Sequence, residues 1–421
     1  MSLQATPRAN RVHIAVFGLR NSGKSSLINA LTGQNIAIVS DVPGTTTDPV
    51  YKSMEIHGIG PCVFIDTAGF DDTGGIGKLR IEQTQRVVDK TDIAILVFDG
   101  SNFLKRNKNP GKKELQPGKA ENLLSNQELH WLKALKKKRI PVIGVLNKID
   151  LYQDNNANDI ADAIEKACSI PVVPVCTLTR RGLDSLREQL TRSLPEDFES
   201  ESITGSLARE GDVVLLVMPQ DIQAPKGRLI LPQVQVIREL LDKKCIVQCV
   251  TTDKLEEGLS ALADPPKLII TDSQAFKIVY DKKPKESMLT SFSVLLAGYK
   301  GDLKYFAESA RAIENLTENS RVLIAEACTH APLEEDIGRV KIPAMLRKKA
   351  GQGLKIDVVA GADFPENLTG YDLIIHCGSC MFNKKHVLSR VEKARAAKVP
   401  MTNYGVVIAY LSGILDKISL P

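Results

Sequence analysis

Val12-His13-Ile14-Ala15-Val16-Phe17, followed by Gly18-Leu19-Arg20-Asn21-Ser22-Gly23-Lys24-Ser25, decides how the first half of this chain is read. The apolar, β-branched run ended by Gly18 predicts a buried strand, and Ser25 to Leu31 predicts a helix. Between them stands the pattern G-x-x-x-x-G-K-S. Its glycines let successive backbone N–H groups turn inward around phosphate oxygens, and the helix N-terminus adds a favourable dipole. Lys24 is placed to reach the outer phosphates, and Ser25 offers a hydroxyl to Mg²⁺, which takes hard oxygen ligands. Working outward, Val63 to Asp66, Ile93 to Asp99, Val142 to Asn147 and Val172 to Cys176 predict four further buried strands. Helical patterns such as Gln127 to Lys136 fall between them. Alternation of this kind predicts parallel βαβ units and a three-layer α/β domain.

The ends of those strands carry the remaining nucleotide signals. Asp66-Thr67-Ala68-Gly69 offers a carboxylate for water-mediated Mg²⁺ binding and a Gly69 N–H for a γ-phosphate. Pro43-Gly44-Thr45-Thr46-Thr47-Asp48 lies between the two phosphate signals, and Thr46 is the candidate switch threonine. Asn147-Lys148-Ile149-Asp150 puts a carboxylate where guanine presents N1–H and its 2-amino group. Adenine lacks both donors, so this pair favours GTP over ATP by about 10²- to 10⁴-fold. Asn147 is expected to tie the loops together, and the Lys148 stem to lie over the base. Cys176-Thr177-Leu178 is placed to offer a backbone N–H to guanine O6. The candidate nucleotide contacts are therefore Gly18, Asn21, Ser22, Gly23, Lys24, Ser25, Ser26, Asp66, Asn147, Lys148, Asp150, Cys176 and Thr177. Lys24, Thr46 and Gly69 form the candidate catalytic set, and Ser25, Thr46 and Asp66 the Mg²⁺ set. Each tetrapeptide is weak alone; all of them in this order, each at a strand end, signal a GTPase.

The chain has 421 residues, which predicts two or three domains. With 43% hydrophobic and 25% charged residues, extended disorder is excluded. The longest nearly apolar stretch, Tyr404 to Leu415, is too short to cross a membrane. Met1 to Arg11 holds no apolar signal core, so a cytoplasmic protein is expected. A net charge of +5, one Trp and 5% aromatics argue against a nucleic-acid surface. Ser101 to Asn126 reads as a long surface loop, and Leu194 to Glu210 as a linker. A second alternation follows, with strands Val213 to Met218, Ile246 to Thr251 and Leu268 to Thr271 and a helix Leu231 to Lys243. Three strands leave sheet edges unpaired, a situation often resolved against another copy. Beyond Lys282 to Met288, a third segment is read as strands Ser293 to Ala297, Arg321 to Ala325, Lys355 to Val359 and Tyr371 to His376, with helices between and after them. The expected domains are 1–200, 208–284 and 288–421, and no short-period repeat is visible.

Eight cysteines in a chain of this kind point to metal binding or chemistry more than to disulfides. Cys328-Thr329-His330 follows one predicted strand of the third segment, and His376-Cys377-Gly378-Ser379-Cys380 ends another. Both lie at strand C-terminal ends, where crevices form in parallel α/β sheets. Cys377 and Cys380 are spaced to meet one metal or cluster, and Cys328 can supply a third sulfur. A helix starting near Asn383 would favour thiolates or an anionic cluster. On spacing alone, tetrahedral Zn²⁺, a [4Fe–4S] cluster on three cysteines and a redox dithiol or inert core all remain open. Cys62, Cys168, Cys245 and Cys249 have no ligand partner in the pattern, and His386 reads as a helix-end side chain.

Residues 11 to about 195 resemble the translation-factor-type small GTPases, nearest the tRNA-modification and Era-like branch. That resemblance implies that Asn21 helps hold a K⁺ against the phosphates, so K⁺ stimulation is expected. Phe70 follows the Asp66-to-Gly69 motif where Ras-like enzymes carry a water-orienting Gln. Aligning on Ile81-Glu82 puts Gly77 where tRNA-modifying relatives carry a catalytic Glu. Slow hydrolysis, suited to a switch, is expected. Over nearly the whole length, the GTPase, the small middle unit and the Cys-x-His…His-Cys-x-x-Cys segment resemble the HydF family of [FeFe]-hydrogenase maturation GTPases. The resemblance implies a dimerising middle domain and a [4Fe–4S] cluster on Cys328, Cys377 and Cys380, with His330 or His376 as candidate fourth ligand. It implies a scaffold or carrier that passes a diiron subcluster precursor to apo-[FeFe]-hydrogenase. Its partners would be a second copy, that hydrogenase and the radical S-adenosylmethionine maturases HydE and HydG. Its cofactors would be GTP or GDP, Mg²⁺, K⁺ and the cluster. The alternative from another class is an RNA-modifying or ribosome-associated GTPase with a structural zinc.

Overall fold

The structure, a computed structural model, describes residues 10–32, 50–56, 59–67, 84–102, 123–152, 156–194, 202–219, 229–327, 336–361, 363–379 and 381–421. They fall into two compact units, one within 1–198 and one within 199–421.

The first unit is built on strands β1 (Val12–Gly18), β2 (Val50–Ile56), β3 (Gly60–Asp66), β4 (Ile93–Asp99), β5 (Val142–Asn147) and β6 (Val172–Val175). They form one sheet in the order β2-β3-β1-β4-β5-β6, parallel except for β2, which runs antiparallel to β3. All seven residues of β1 and of β4 are buried, as continuous apolar strands covered on both faces must be. Helices α1 (Lys24–Thr32), α2 (Asn126–Lys137), α3 (Asn156–Cys168) and α4 (Leu183–Arg192) supply the covers. Leu27, Ile28 and Leu31 of α1 share one apolar layer with Leu183, Leu186 and Leu190 of α4. Trp131, Leu132 and Leu135 of α2 share the other with Ile160 and Ile164 of α3. A capping box starts α2: Ser125 Oγ accepts from Glu128 N, and Ser125 N–H donates to Glu128 Oε2 at 2.8 Å. Such a cap is worth about 1 kcal/mol. Strand β2, absent from the sequence reading, carries exposed Ser53 and Glu55 among its apolar residues, the mark of an edge strand half in water. The predicted loop from Ser101 lies almost entirely outside the described residues.

The second unit holds two parallel four-stranded sheets. The first contains β7 (Val213–Val217), β8 (Ile246–Val250), β9 (Leu268–Thr271) and β10 (Met288–Ser291), with helices α5 (Leu231–Asp242), α6 (Leu255–Ser260), α7 (Phe276–Lys282) and α8 (Phe292–Lys300). The second contains β11 (Arg321–Ala325), β12 (Lys355–Val359), β13 (Leu373–His376) and β14 (Met401–Asn403). Its helices are α9 (Leu303–Ala310), α10 (Ile342–Ala350), α11 (Lys384–Ala396) and α12 (Tyr404–Leu411). The strand orders are β10-β9-β7-β8 and β12-β11-β13-β14, so in both sheets the first strand lies between the second and the third, with the fourth outside the third. The registers agree as well, Val214 facing Leu268 in one sheet and Val322 facing Leu373 in the other. One apolar cluster joins the two, with Leu215, Ile269 and Val294 in the same core as Leu323, Ile374 and Val406.

Three expectations are corrected here. Ser293 to Ala297 is helical, inside α8, where Ser291 caps the helix by accepting from Val294 N at 3.2 Å. The strand precedes it: β10 pairs with β9, so the middle sheet has four strands and continues past Met288. The predicted linker is partly core, because Ile203, Thr204, Leu207 and Ala208 are buried. Glu239 on α5 holds that stretch through Ser202 Oγ, Ile203 N–H, Thr204 N–H and Thr204 Oγ, at 2.5 to 2.9 Å.

Candidate functional site

In the first unit, parallel pairing aligns the strand ends that carry the motifs. Val16 faces Asp66, Gly18 faces Val97, Asp99 faces Asn147, and Asn147 faces Val175. The phosphate loop leaves β1 there and enters α1. Gly18 has φ +153° and Gly23 φ +91°, and Asn21 between them has φ 59°. A Cβ on Gly23 would lie 2.2 Å from Asn147 Nδ2, so side-chain-free backbone is required for the two loops to meet. Lys24 donates to Gly18 O at 3.1 Å and Leu19 O at 2.9 Å, which keeps its ammonium over the loop. Ser25 Oγ donates to Asp66 Oδ2 at 2.5 Å. Burial pushes the Asp66 carboxyl above the usual range, opposed by the Ser25 hydrogen bond and by Lys24 and Lys52. A divalent cation beside Ser25 and Asp66 would supply the charge this carboxylate lacks.

The base-reading side is joined to the loop. Asn147 Nδ2 donates to Ser22 O at 3.0 Å. Lys148, in the left-handed region at φ 64°, donates to Asn21 O and to Asp99 Oδ2, each at 2.8 Å. Asp150 Oδ1 accepts from the Cys176 thiol at 3.3 Å. The Cys176 backbone N–H donates to Arg181 O at 3.0 Å, so that amide is already engaged within the chain. Ser22 Oγ, Asp66 Oδ1 and Asn147 Oδ1 are buried with no hydrogen bond among the described residues. Orphaned polar atoms beside a phosphate loop fit a bound nucleotide and a hard cation. Thr46 and Gly69 lie outside the described residues, and Ser26 follows on α1. The sequence reading did not single out Asp99, which anchors Lys148 and accepts from Ser101 N–H and Oγ. Its place at the end of a buried strand was the available signal.

The second candidate site lies where β11 and β13 end side by side, Ala325 facing His376. Helices leave adjacent strands in opposite directions there, the usual position of a ligand crevice. Cys377 N–H donates to Ala325 O at 3.0 Å. Cys377 Sγ accepts from Ala327 N–H at 3.0 Å and from Ser379 N–H at 3.4 Å. Two backbone N–H groups thus converge on one sulfur. Cys328, His330 and Cys380 lie outside the described residues, but Ala327 and Ser379 are their chain neighbours. Among the described residues, no group of three His, Cys, Asp or Glu side chains is placed to hold a metal ion.

His376 is buried, and both ring nitrogens are engaged. Nε2 lies 2.9 Å from Arg390 Nη1, and a guanidinium can only donate, so Nε2 accepts. Nδ1 therefore carries the proton, 3.0 Å from Cys377 O and 2.8 Å from Ser379 Oγ. Burial, then the Arg390 charge, pushes His376 down to about 3. The expectation that His376 is a ligand meets this obstacle: its free lone pair is already taken by Arg390. Arg390 donates also to Gly361 O and is sandwiched between Phe364 and Phe382, at 4.8 and 4.7 Å from the ring centres. His386 stacks on Phe382 at 4.0 Å between centroids, and its backbone N–H is capped by Asn383. Cys62 and Cys168 are buried thiols, pushed by burial to about 12 and about 11.

Comparison with known families bears on both sites. Residues 203–301 match the hydrogen maturase F dimerization domain, and residues 304–420 match the hydrogen maturase F tetramerization domain. The chain belongs to the HydF family. Both cysteine groups fall inside the second match. Residues 13–148 match the family described as 50S ribosome-binding GTPase, so the amino-terminal unit of this HydF-family chain is a GTPase domain. Among curated proteins, the tRNA modification GTPase MnmE of Chromobacterium violaceum is 29% identical over 220 residues, 51% of this chain and 43% of that protein. GTPase Der of Wolinella succinogenes is 47% identical over 95 residues, 22% of this chain and 20% of that protein. The chain thus spans less than half the length of these curated relatives. Among solved structures, Era in complex with MgGDPNP and a segment of 16S ribosomal RNA has a TM-score of 0.37 at 18% identity, covering 60% of this chain and 98% of that one. Among the described residues, no helix is long and apolar enough to cross a membrane.

Proposed function

We propose that this chain is a slow, K⁺-stimulated GTPase that serves [FeFe]-hydrogenase maturation as a scaffold. It would carry a diiron subcluster precursor to the apo-hydrogenase beside a [4Fe–4S] cluster with an open or exchangeable iron site. The observation that carries the second half is the hydrogen bond from Ala327 N–H to Cys377 Sγ. It brings the segment leading into Cys328 to the sulfur of the Cys377-Gly378-Ser379-Cys380 turn, across two adjacent parallel strands. The family matches support the same reading.

Within that reading, Cys328, Cys377 and Cys380 are the three thiolate ligands. A cluster held by three protein ligands supplies an iron able to take an exogenous ligand. His376 orients the turn as a hydrogen-bonded imidazole, which leaves His330 as the histidine for the fourth position. In the GTPase domain, Lys24 binds the outer phosphates, Ser25 and Asp66 hold Mg²⁺, and Asn21 faces K⁺. Asp150 reads guanine, with its carboxylate oriented by the Cys176 thiol. Thr46 and Gly69 are the γ-phosphate sensors, and their ordering would change which partner docks. Of the expected domains 1–200, 208–284 and 288–421, the second would widen to take in Ile203 to Ala208 and β10, and the third would begin after α8. The partners would be a second copy in the cytoplasm, the apo-hydrogenase, and the radical S-adenosylmethionine maturases HydE and HydG.

Anaerobic purification with an iron, sulfide and zinc count tests the cluster. About four irons per chain are expected, and one zinc without iron would favour the RNA-acting alternative. Cys377→Ser should lower bound iron and abolish hydrogenase activation while GTP turnover persists; activation preserved in that variant removes the carrier role. Lys24→Ala should lose nucleotide binding, and unchanged affinity would sink the phosphate-loop assignment.

A further inference from the structure

Asp99 is a buried carboxylate outside every nucleotide motif, and it stands where the two nucleotide loops meet. It ends β4, is 7% exposed and faces Asn147 in the register of β5. Its two oxygens have different partners. Oδ1 accepts from Ser101 N–H at 2.9 Å and from Ser101 Oγ at 2.7 Å, which keeps the carboxylate from turning. Oδ2 accepts from the Lys148 ammonium at 2.8 Å. The next residue, Gly100, approaches the base-reading loop so closely that a Cβ there would meet Asn147 O at 2.6 Å and the Tyr152 ring at 2.9 Å. Tyr152 Oη donates to Gly100 O on the same side. The end of β4 is thus a fixed support for residues 147–152.

Lys148 carries that anchor to the phosphate loop. The same ammonium donates to Asn21 O at 2.8 Å, and the neighbouring Asn147 Nδ2 donates to Ser22 O at 3.0 Å. Two successive carbonyls of the phosphate loop are therefore held by two successive residues of the base-reading loop. In a trans peptide the C=O and the following N–H point in opposite directions. Drawing Asn21 O and Ser22 O toward the base-reading loop turns the Ser22 and Gly23 N–H groups away from it, and a phosphate cradle is built from N–H groups turned to one side. A lysine head on a flexible stem does not stay at one carbonyl unaided, because rotamer freedom and water compete with it. The Lys148 side chain is 33% exposed, and the buried Asp99 carboxylate is what pins it.

We propose that Asp99 is a positioning residue for nucleotide binding. Held by Ser101, it fixes the Lys148 ammonium on Asn21 O and so shapes the phosphate cradle from the base-reading side. The inference rests on the assignment of Lys148 and the phosphate loop to the nucleotide given above.

The test uses the full-length chain as wild type, Asp99→Asn, Asp99→Glu, Lys148→Met and the double variant Asp99→Asn with Lys148→Met. The readouts are the dissociation constants of fluorescent GDP and xanthosine diphosphate in Mg²⁺ buffer, with thermal unfolding as the control for folding. Asp99→Asn keeps an acceptor for Ser101 and removes the charge. It should bind GDP about 10- to 100-fold more weakly, the loss of one charge-assisted hydrogen bond. Its preference for GDP over xanthosine diphosphate should match wild type, because Asp150 is untouched. Lys148→Met should lose as much affinity, and the double variant should lose no more than Lys148→Met alone. Asp99→Glu keeps the charge and should recover most of the affinity. Asp99→Ser replaces Asp99→Asn in the same cycle if the latter does not fold. A folded, charge-free variant with wild-type affinity overturns the role of Asp99 and leaves the nucleotide assignment intact, as does a double variant in which the two losses add. Lys148→Met with wild-type affinity overturns the assignment of Lys148 itself, and the role of Asp99 with it.

Discussion

Gly23 is the residue at which the phosphate loop and the base-reading loop constrain each other. Its φ of +91° disfavours any side chain, and an added Cβ would meet Asn147 Nδ2 at 2.2 Å. That amide is the one bonded to Ser22 O, so the intrusion would break the tie between the loops. Gly23→Ala is therefore expected to weaken nucleotide affinity at least about tenfold, roughly one lost hydrogen bond to a constrained loop. A fluorescent-nucleotide titration checks it, and an unchanged dissociation constant would contradict the loop geometry. Cys176 illustrates a residue whose position was legible but whose role was not. Its place after a strand is plain in the sequence, yet only the fold shows that Arg181 O takes its amide while Asp150 takes its thiol.

Helix α5 shows how one carboxylate organises an element. Burial alone would raise Glu239, but hydrogen bonds from Thr204 N–H and Oγ, Ser202 Oγ and Ile203 N–H outweigh it and hold the carboxyl below the ordinary glutamate range. Lys243, one turn on, adds donors to Thr204 Oγ and Gly205 O. A carboxyl depressed in the folded state stabilises the fold above its unfolded value, and that stability is lost as pH falls through the folded value. Glu239→Gln should cost about 2 kcal/mol near neutral pH. The gap from wild type should close as the pH drops below the unfolded glutamate value of 4.5. Chemical denaturation at several pH values measures both, and a pH-independent gap would show that the charge is not what matters. The helix α8 was misread because Phe292 to Lys300 is short and apolar, and periodicity does not separate such a run from a buried strand.

At the scale of the whole molecule, each sheet of the second unit has one covered edge and one edge strand with no neighbour among the described residues. Ser419 N–H bonds to Leu289 O on the outer side of β10, and Thr402 Oγ on β14 bonds to Phe306 O of α9. Strands β8 and β12 are the remaining edges. On β8, Ile246 N–H bonds inward to Asp212 O and Val250 O accepts from Met218 N–H. By alternation, the N–H groups of Val247 and Cys249 point away from the sheet. Ile246 is 60% exposed and Cys249 is also exposed, an edge that favours pairing with a second copy. Cys249→Pro removes an outward donor without an inward one. It should shift the oligomer toward monomer in light scattering while the circular dichroism is kept, and an unchanged mass would place the interface elsewhere.

The sequence by itself determined the chemistry of the first unit. Phosphate binding and guanine reading rest on short motifs whose atoms lie close along the chain, and strand–helix alternation dictates that the motifs share one edge. It also singled out the cysteine groups as candidate ligands, because Cys377 and Cys380 stand three residues apart with a glycine between them. Tertiary structure decided what depends on contacts distant in sequence: the His376–Arg390 bond, the Lys148 ammonium between Asp99 and Asn21 O, and the packing of 203–208 on α5. It alone reveals that the two sheets of the second unit repeat one topology. Leu268-Ile269-Ile270 and Leu373-Ile374-Ile375 hold matching places, as do Thr290-Ser291-Phe292 and Thr402-Asn403-Tyr404, but stretches this short carry no detectable period. Strand order is fixed by which apolar faces bury each other, a global balance that no local window of residues contains.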